Sequence, residues 1–238
     1  MVEYCIGTAQ FGMPYGIANK LGQPSLNEID RIIQFAHENN IHYVDTAQSY
    51  NESELVIGKT IKNFSKKDEF KIITKLSPHL EIRKMENIVE SVQNSIDTLK
   101  VKSLFGFLSH RIEAFKSHEF LSAMKFLKRK KLILKSGASV YTPNEALGVI
   151  CNPNLDILQI PINILDRRWL DLNIFEIARE NNVQLFFRSI FLQGLIFLNE
   201  HDIKKKNMKW AMPFLNKFQS QVKKTQFSPI ELSFGILG

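Results

Sequence analysis

The stretch IHYVDTAQSY, residues 41–50, joins a short apolar run to an acid, Asp45, and to a phenol five residues later, Tyr50. Two other apolar runs carry polar groups near their ends: FKIITKL carries Lys75 and LFGFLSHR carries His110. Near-continuous apolar runs are typical of strands that are buried on both faces, as in a parallel sheet covered by helices. We therefore predict that these four polar side chains lie at the carboxyl ends of successive parallel strands.

Short apolar runs rich in Ile, Val, Leu and Phe recur along the chain, and longer segments of helical period separate them. This regular alternation predicts repeated βα units. The predicted strands are Tyr4–Thr8, His42–Asp45, Lys71–Lys75, Leu104–Ser109, Leu134–Ser139, Ile157–Pro161 and Leu185–Ser189.

The helices between these strands have readable starts and ends. Ser25 with Glu28 three residues later predicts a capping box at the start of the first long helix. The segments FAHENNIHYVDT and IARENNVQLFFRS share a helix end, an Asn-Asn turn and a following strand. Asparagine accepts the left-handed backbone conformation that ends many helices, so we predict the same turn in both segments. The predicted apolar stripes are Ile29, Ile32, Ile33 and Ala36; Met85, Ile88, Val89, Val92, Ile96 and Leu99; Phe120, Met124 and Leu127; and Phe175 with Ala178.

Seven strands with intervening helices allow two α/β architectures, a (β/α)8 barrel or an open doubly wound sheet. The open sheet that binds dinucleotides carries a G-x-G-x-x-G turn after a strand, and the chain has none. A barrel places its site at the carboxyl ends of its strands, where the four polar residues fall. No linker or shift in composition divides the chain into two small domains, so we predict a single barrel domain over residues 1–238.

Composition narrows the functional classes. The formal net charge is +7, and several basic residues lie in clusters. Such clusters could bind nucleic acid, or they could be solvated lysines at helix ends and in loops. We favour the second interpretation and expect no nucleic-acid partner. No apolar stretch approaches the roughly 20 residues of a membrane helix, and the N-terminus does not resemble a secretory signal. Cys5 and Cys151 are the only cysteines, which favours a reducing, cytoplasmic setting.

Seven ordered segments resemble the aldo/keto reductases. DTAQSYNESELVIG, ITKL and FLSHR are similar to the segments that supply that family's Asp and Tyr, Lys, and His. GTAQFG, KSGASVY, QIPINILDRR and FFRSIFLQGL extend the resemblance over nearly the whole chain. It implies a (β/α)8 barrel of the TIM type and reduction of a carbonyl.

The resemblance implies a catalytic set of Asp45, Tyr50, Lys75 and His110. Tyr50 would be the general acid. A free phenol has a pKa near 10, which is too high for ready proton exchange at neutral pH. A neighbouring cationic Lys75 favours the phenolate and is expected to lower that pKa. Asp45 would hold Lys75 as an ion pair, and His110 would orient the carbonyl or share the proton relay. Taken singly, each residue also has an ordinary structural reading, such as a turn acid, a packed aromatic, a rim lysine or a loop histidine.

The hydride has to come from a bound carrier, because no side chain supplies one. The resemblance implies NADPH or NADH, bound without a Rossmann domain. Ser139 and Gln159 would hydrogen-bond the nicotinamide amide, with Asn163 nearby. The expected cofactor-binding residues are Gly7, Thr8, Asp45, Ser139, Gln159, Asn163, Arg188, Ser189, Gln193 and Gly194.

Some positions depart from the family pattern. Asn51 replaces a usual Gly, Val140 replaces a frequent Asn, and Arg188 stands where some relatives stack an aromatic ring on the nicotinamide. The segment SPIELSFGILG resembles the family's seventh helix, so we expect a barrel shortened to about seven βα units and open between its first and last strands. The histidines show no metal-ligand spacing, and we expect no metal.

The sequence allows two functions. The first is reduction of an aldehyde or ketone to an alcohol, with a small-molecule carbonyl as the partner; similarity of GTAQFGMPYGIAN to relatives encoded among surface-polysaccharide genes suggests a sugar-derived one. The second is a catalytically silent barrel, either a degraded reductase or a binding or regulatory protein. Pairing of copies into a homo-oligomer would cover the open edge.

Overall fold

The structure is a computed structural model that describes residues 2–62, 64, 67–166 and 168–235. Its strands form one sheet in chain order, and every neighbouring pair is parallel. The strands are β1 (Cys5–Gly7), β2 (Tyr43–Asp45), β3 (Lys71–Lys75), β4 (Leu104–Ser109), β5 (Ile133–Ser139), β6 (Ile157–Pro161) and β7 (Gln184–Arg188).

The helices lie between the strands and after the last one. They are α1 (Ala9–Gly12), α2 (Leu26–Glu38), α3 (Ser53–Ile61), α4 (Met85–Leu99), α5 (Ile112–Lys116), α6 (His118–Arg129), α7 (Pro143–Leu147), α8 (Ile174–Glu180), α9 (Glu200–Lys205), α10 (Met212–Thr225) and α11 (Pro229–Phe234).

This arrangement confirms the predicted α/β barrel of the (β/α)8 type with about seven units. Each predicted strand is present, and its ends differ from the prediction by at most one residue. Among the described residues β1 pairs with β2 and β7 pairs with β6, and no ladder joins β7 to β1. In this part of the chain the seven strands form a nearly closed barrel whose open side lies between β1 and β7. Of the segment compared with a seventh helix, α11 is present, and 236–238 lie outside the described residues.

The core has an outer and an inner part. The larger cluster lies where the outward side chains of the strands meet the helices, as Ile72 of β3 and Ile88 of α4 do. Burial of that apolar surface is the main stabilising contribution to such a fold. The inner cluster fills the barrel with one side chain from each of five strands: Tyr43, Ile73, Leu108, Ile157 and Phe186.

Helix caps set the directions in which the chain enters and leaves the sheet. Ser25 and Glu28 form the predicted capping box at the start of α2. At its end, Asn40 has a left-handed backbone (φ 59°), and the amide of Ile41 donates to the carbonyl of Ala36 at 2.8 Å. Asn182 (φ 55°) ends α8 in the same way. Both predicted Asn-Asn turns are thus confirmed as Schellman-type caps.

One expectation about local packing was wrong. Ile32 is exposed, although Ile29, Ile33 and Ala36 of the same predicted stripe are buried; at 100° per residue Ile32 lies at the margin of the apolar face. The segment after β7 contains a 3-10 turn (Leu192–Phe197) and α9. It has a small core of its own around Leu195, which Ile17 and Ala18 complete.

Candidate active site

A buried ion pair stands at the carboxyl ends of β2 and β3. The ammonium of Lys75 donates to Oδ1 of Asp45 at 2.7 Å and to the backbone carbonyl of Thr46 at 2.7 Å. The Lys75 side chain is 1% exposed and that of Asp45 is 14% exposed. Asp45 pairs in register with Ile73, and Lys75 lies two residues further along β3 on the same face of the strand. A charge this deeply buried has to be paired, so Asp45 and Lys75 fix each other's position.

Tyr50 lies beside this pair, at the end of the segment that follows β2. The Nζ atom of Lys75 is 5.3 Å from the centroid of the Tyr50 ring. Gly12 of α1 packs against this segment so closely that an added Cβ would lie 1.8 Å from the backbone oxygen of Tyr50. Asn51 then turns the chain with φ 46°, in the left-handed region where the family usually has Gly. The packing of Gly12 and the turn at Asn51 therefore fix the backbone position of Tyr50.

The protonation of Tyr50 differs from the expectation. Burial raises the pKa of its phenol above the ordinary range, the Asp45 carboxylate raises it further, and the Arg188 guanidinium opposes them. The net shift in the pKa of Tyr50 is upward, so burial outweighs the lowering expected from Lys75. The ammonium is engaged by Asp45 and Thr46, which leaves burial as the larger effect.

His110 follows β4 and faces Tyr50. Their ring centroids are 6.2 Å apart with nearly perpendicular planes, and Nδ1 of His110 is 3.3 Å from the hydroxyl of Ser49. Burial lowers the pKa of His110 to about 4, and the positive charges of Lys75 and Arg188 act in the same direction. The imidazole is therefore neutral near pH 7, with one nitrogen able to donate and the other able to accept.

Arg188 is the last residue of β7, and its charge acts on both Tyr50 and His110. Its Nη2 donates to the backbone carbonyl of Val140 at 2.9 Å, and its guanidinium lies 4.5 Å from the centroid of the Tyr141 ring. Burial raises the pKa of Tyr15, with Tyr50 and Tyr141 adding to the effect and Arg188 opposing it. Tyr141 thus stacks on the guanidinium of Arg188, and Tyr15 and Tyr50 lie near enough for its charge to lower their pKa values.

The strand ends of β5 and β6 supply buried amides and hydroxyls. Ser139 and Gln159 pair across the two strands and are both 2% exposed. Nε2 of Gln159 donates to Oδ1 of Asp45 at 2.9 Å, whereas its Oε1 is shielded and has no partner among the described residues. Asn163 is buried as well, and its Oδ1 accepts from the amide of Leu165.

The remaining expected cofactor residues lie at the end of β1 and in the segments that follow β1 and β7. Gly7 is exposed and nothing lies within 4 Å of a Cβ added there. Thr8 is buried, and both its amide and its hydroxyl donate to the carbonyl of Asp45, so its polar groups serve the fold. Ser189, Gln193 and Gly194 all have left-handed backbones.

A family model for the aldo/keto reductase family matches residues 3–233. The chain belongs to the aldo/keto reductase family. This membership supports an oxidoreductase that acts on carbonyl groups, and aldo/keto reductases generally use nicotinamide cofactors.

Solved aldo-keto reductases share the fold. An aldo-keto reductase from Bacillus halodurans, in its holo form, is 23% identical, with a TM-score of 0.67 over 82% of this chain and 64% of that one. A thermostable aldo-keto reductase solved with the inhibitor epalrestat is 22% identical, with a TM-score of 0.67 over 96% of this chain and 77% of that one. An aldose reductase from Giardia lamblia is 18% identical, with a TM-score of 0.57 over 71% of this chain and 63% of that one. A comparison with curated proteins found no match.

The residues at the strand ends fit a nicotinamide. A carboxamide has both N–H donors and a carbonyl acceptor, and the unpartnered Oε1 of Gln159 is a buried acceptor of the kind that an N–H requires. The hydroxyl of Ser139 on the neighbouring strand end is a suitable donor to the carboxamide oxygen. These two residues of the aldo/keto reductase barrel would hold the amide end of the cofactor.

Sequence reasoning missed two members of the site. Tyr15 and Tyr141 stand within motifs that were quoted for other residues, GMPYG and KSGASVY, and each joins the group around Arg188 only through the fold. A tyrosine two residues after a predicted strand, as Tyr141 is, was the available signal. Among the described residues no helix has both the length and the apolarity needed to cross a membrane.

Proposed function

We propose that this aldo/keto reductase reduces an aldehyde or ketone to an alcohol, with NADPH or NADH as the hydride donor. The observation that carries the proposal is the buried Lys75–Asp45 pair beside Tyr50 and His110, at the end of the barrel where such sites form. Family membership supports carbonyl reduction in general. The nicotinamide, when bound, would supply the hydride.

Tyr50 is proposed as the general acid. Reduction of a carbonyl builds negative charge on its oxygen, so a protonated group has to stand there. The raised pKa keeps the phenol of Tyr50 protonated across the neutral range, which is the form that donates. The Lys75 ammonium, 5.3 Å from the ring, would stabilise the phenolate that remains after the proton has left.

His110 is proposed to orient the substrate. If the Ser49 hydroxyl donates to Nδ1, the neutral imidazole carries its proton on Nε2 and can donate it to the carbonyl oxygen. The lowered pKa keeps the imidazole neutral, which makes it a hydrogen-bond donor of fixed direction and no competitor for the proton of Tyr50.

A polar carbonyl compound, such as a sugar-derived one, is the proposed substrate class. The guanidinium of Arg188 stacks on Tyr141, and Tyr15 interacts electrostatically with Arg188 and Tyr50. Phenols and a guanidinium bind hydroxyls better than they bind an aliphatic chain. A panel of sugar aldehydes compared with aliphatic aldehydes of similar size would test this choice.

Replacement of Tyr50 by phenylalanine tests the mechanism. The change removes one oxygen and keeps the ring, so we expect kcat to fall by about 10²–10⁴-fold while cofactor binding is retained. Tyr4→Phe is the matched control, because Tyr4 is an exposed tyrosine that directly precedes β1, at the end of the strand away from the site. Retained turnover in Tyr50→Phe would remove Tyr50 as the acid.

A barrel without catalysis is the second candidate, and the absence of a β1–β7 ladder among the described residues favours it. Ser189, Gln193 and Gly194 lie just past that edge of the sheet and would face the phosphates of the cofactor. An NADPH titration that follows fluorescence of Trp169 and Trp210 separates the two candidates. Saturable micromolar binding would support the reductase, and no binding by a folded chain would support the silent barrel.

We propose a cytoplasmic setting and no nucleic-acid partner for the reductase, with residues 1–238 acting as one unit. Cys5 and Cys151 are free thiols, as a reducing compartment favours. The basic runs at Lys128 and Lys204 fall at the ends of α6 and α9, where they serve as ordinary helix-terminal charges.

A further inference from the structure

We propose that His37, His42 and Glu69 form a binding site for a divalent transition metal, with Zn²⁺ as the first candidate. The site lies at the amino-terminal end of the barrel. His42 directly precedes β2, whereas Asp45 ends that strand, so the proposed site and the active site are separated by roughly 10 Å of strand. This inference is independent of the proposed function.

The three side chains converge. One imidazole nitrogen of each histidine and one carboxylate oxygen of Glu69 all lie within 4.8 Å of one another. Nε2 of His37 is 3.1 Å from Oε2 of Glu69, and the two imidazole rings meet edge to face with centroids 5.6 Å apart. Ligands around a tetrahedral ion at about 2.0–2.1 Å stand roughly 3.3 Å apart, so small side-chain rotations suffice.

The backbone brings these residues together by two rigid connections. The Schellman cap at Asn40 reverses the chain between His37 and His42, which puts the end of α2 next to the start of β2. The amide of Lys71 then donates to the carbonyl of His42 at 2.9 Å, which places Glu69, two residues before β3, beside the same histidine. The cluster is therefore built into the fold.

The chemistry of the group suits zinc. Neutral imidazoles and a carboxylate are established Zn²⁺ ligands, and two histidines with one carboxylate leave a fourth position for water. Glu69 is exposed, so water has access to that position, while the rings of Phe64 and Phe70 pack against His37 and shield the other side. Such an apolar surrounding strengthens the interaction between an ion and its ligands.

An ion pair between His37 and Glu69 is the simpler reading of the same cluster. It accounts for their contact, but it leaves Nδ1 of His42 shielded from solvent and without a partner among the described residues. Buried polar atoms are normally satisfied, and an unsatisfied one calls for an explanation such as an ion. A metal engages all three side chains at once.

The proposed role is structural. The ion would join the end of α2, the start of β2 and the segment before β3, in addition to the backbone pairing of β2 with β3 and the packing of Phe70 against His37. Residues at the amino-terminal face of such a barrel serve stability, whereas the opposite face serves catalysis. Sequence reasoning expected no metal because it looked for a fixed spacing along the chain, and this ligand set is assembled across three elements.

The test is a Zn²⁺ titration of the full chain after removal of metals with a chelator. Calorimetry would give stoichiometry and affinity, thermal unfolding would give stabilisation, and the visible spectrum of bound Co²⁺ would report tetrahedral coordination. The variants are His37→Gln, His42→Gln and Glu69→Gln, and the matched control is His118→Gln, an exposed histidine outside the cluster.

We expect one Zn²⁺ per chain and a rise in melting temperature on binding. Each of the three variants should weaken binding by at least about tenfold, because even changes behind the ligands cost that much. Glu69→Gln replaces an exposed group and should fold even if His42→Gln does not. The proposal is overturned if the folded chain binds no Zn²⁺ at a stoichiometry of one, or if Glu69→Gln and His37→Gln bind as the control does.

Discussion

Replacement of Asp45 by asparagine removes the negative charge that faces Lys75 and changes little else in shape. The Lys75 ammonium is 2.7 Å from Oδ1 of Asp45, and its side chain is 1% exposed. After the substitution it keeps the carbonyl of Thr46 at 2.7 Å and a neutral amide oxygen. The buried ammonium would then lack a compensating charge.

The expected loss of stability follows from that burial. Removing one partner of a buried ion pair costs about 3–5 kcal/mol, because the other charge stays desolvated. Asp45 is 14% exposed and asparagine can still accept from Lys75, so we place the loss at the low end, about 3 kcal/mol. Urea unfolding at pH 7 measures it as a change in the free energy of unfolding.

A surface pair in the same chain provides the control. Lys102 and Asp68 are 3.0 Å apart, but their side chains are 82% and 62% exposed. Asp68→Asn should therefore cost only about 0–1 kcal/mol, because solvent screens an exposed pair. Any larger effect at Asp45 then reflects burial and not the loss of an ion pair as such.

A double-mutant cycle isolates the interaction. Lys75→Met removes the buried ammonium. In a chain that already carries Lys75→Met, Asp45→Asn should cost about 1–3 kcal/mol less than it does alone. If Asp45→Asn costs no more than Asp68→Asn, or if the losses of Asp45→Asn and Lys75→Met simply add, the buried pair does not stabilise the fold in this way.

Three further predictions concern neighbouring groups. Burial lowers the pKa of His110 to about 4, from an ordinary value of 6.5. Between pH 4 and 6.5 the unfolded chain therefore binds more protons than the folded one, and the free energy of unfolding should fall as the pH is lowered. His110→Asn should flatten this dependence on pH in unfolding titrations. Burial raises the pKa of Glu54, which means that its buried negative charge is unfavourable. Glu54→Gln removes that charge and can keep the hydroxyls of Thr74 and Ser95 as hydrogen-bond partners, so the free energy of unfolding should be unchanged or raised. Glu54→Ala loses both hydrogen bonds and should lower it. Gly12→Ala should lower stability by about 1–3 kcal/mol and reduce turnover by displacing Tyr50, whereas Gly235→Ala, with open space around it, should do neither in the same assays.

The strands and caps were predictable because they depend on neighbours in sequence. Near-continuous apolar runs marked every strand to within a residue, and Ser25 with Glu28 marked the start of α2. Asn40 and Asn182 marked two helix ends, because asparagine tolerates the left-handed backbone that both adopt.

Predictions that depend on surroundings were less accurate. The pKa of Tyr50 moves upward because burial and Asp45 outweigh any effect of Lys75, and neither burial nor the position of an ammonium is visible in a motif. The exposure of Ile32 likewise depends on what packs beside α2. The segment after β7 becomes ordered because Ile17 and Ala18, far away in sequence, complete its small core.

Local sequence patterns predicted the seven strands, the caps of the helices between them and the polar residues at the strand ends, because apolar period and capping act over a few residues. The choice of a barrel over an open sheet rested on the absence of a dinucleotide-binding turn, on the position of those polar residues and on the family resemblance. Only the tertiary structure decided which of those groups meet. It paired Lys75 with Asp45, gathered Tyr15 and Tyr141 around Arg188, and brought Glu69 to His37 and His42. Charge interactions and desolvation depend on distances through space, and those distances exist only once the barrel has brought separate strands together.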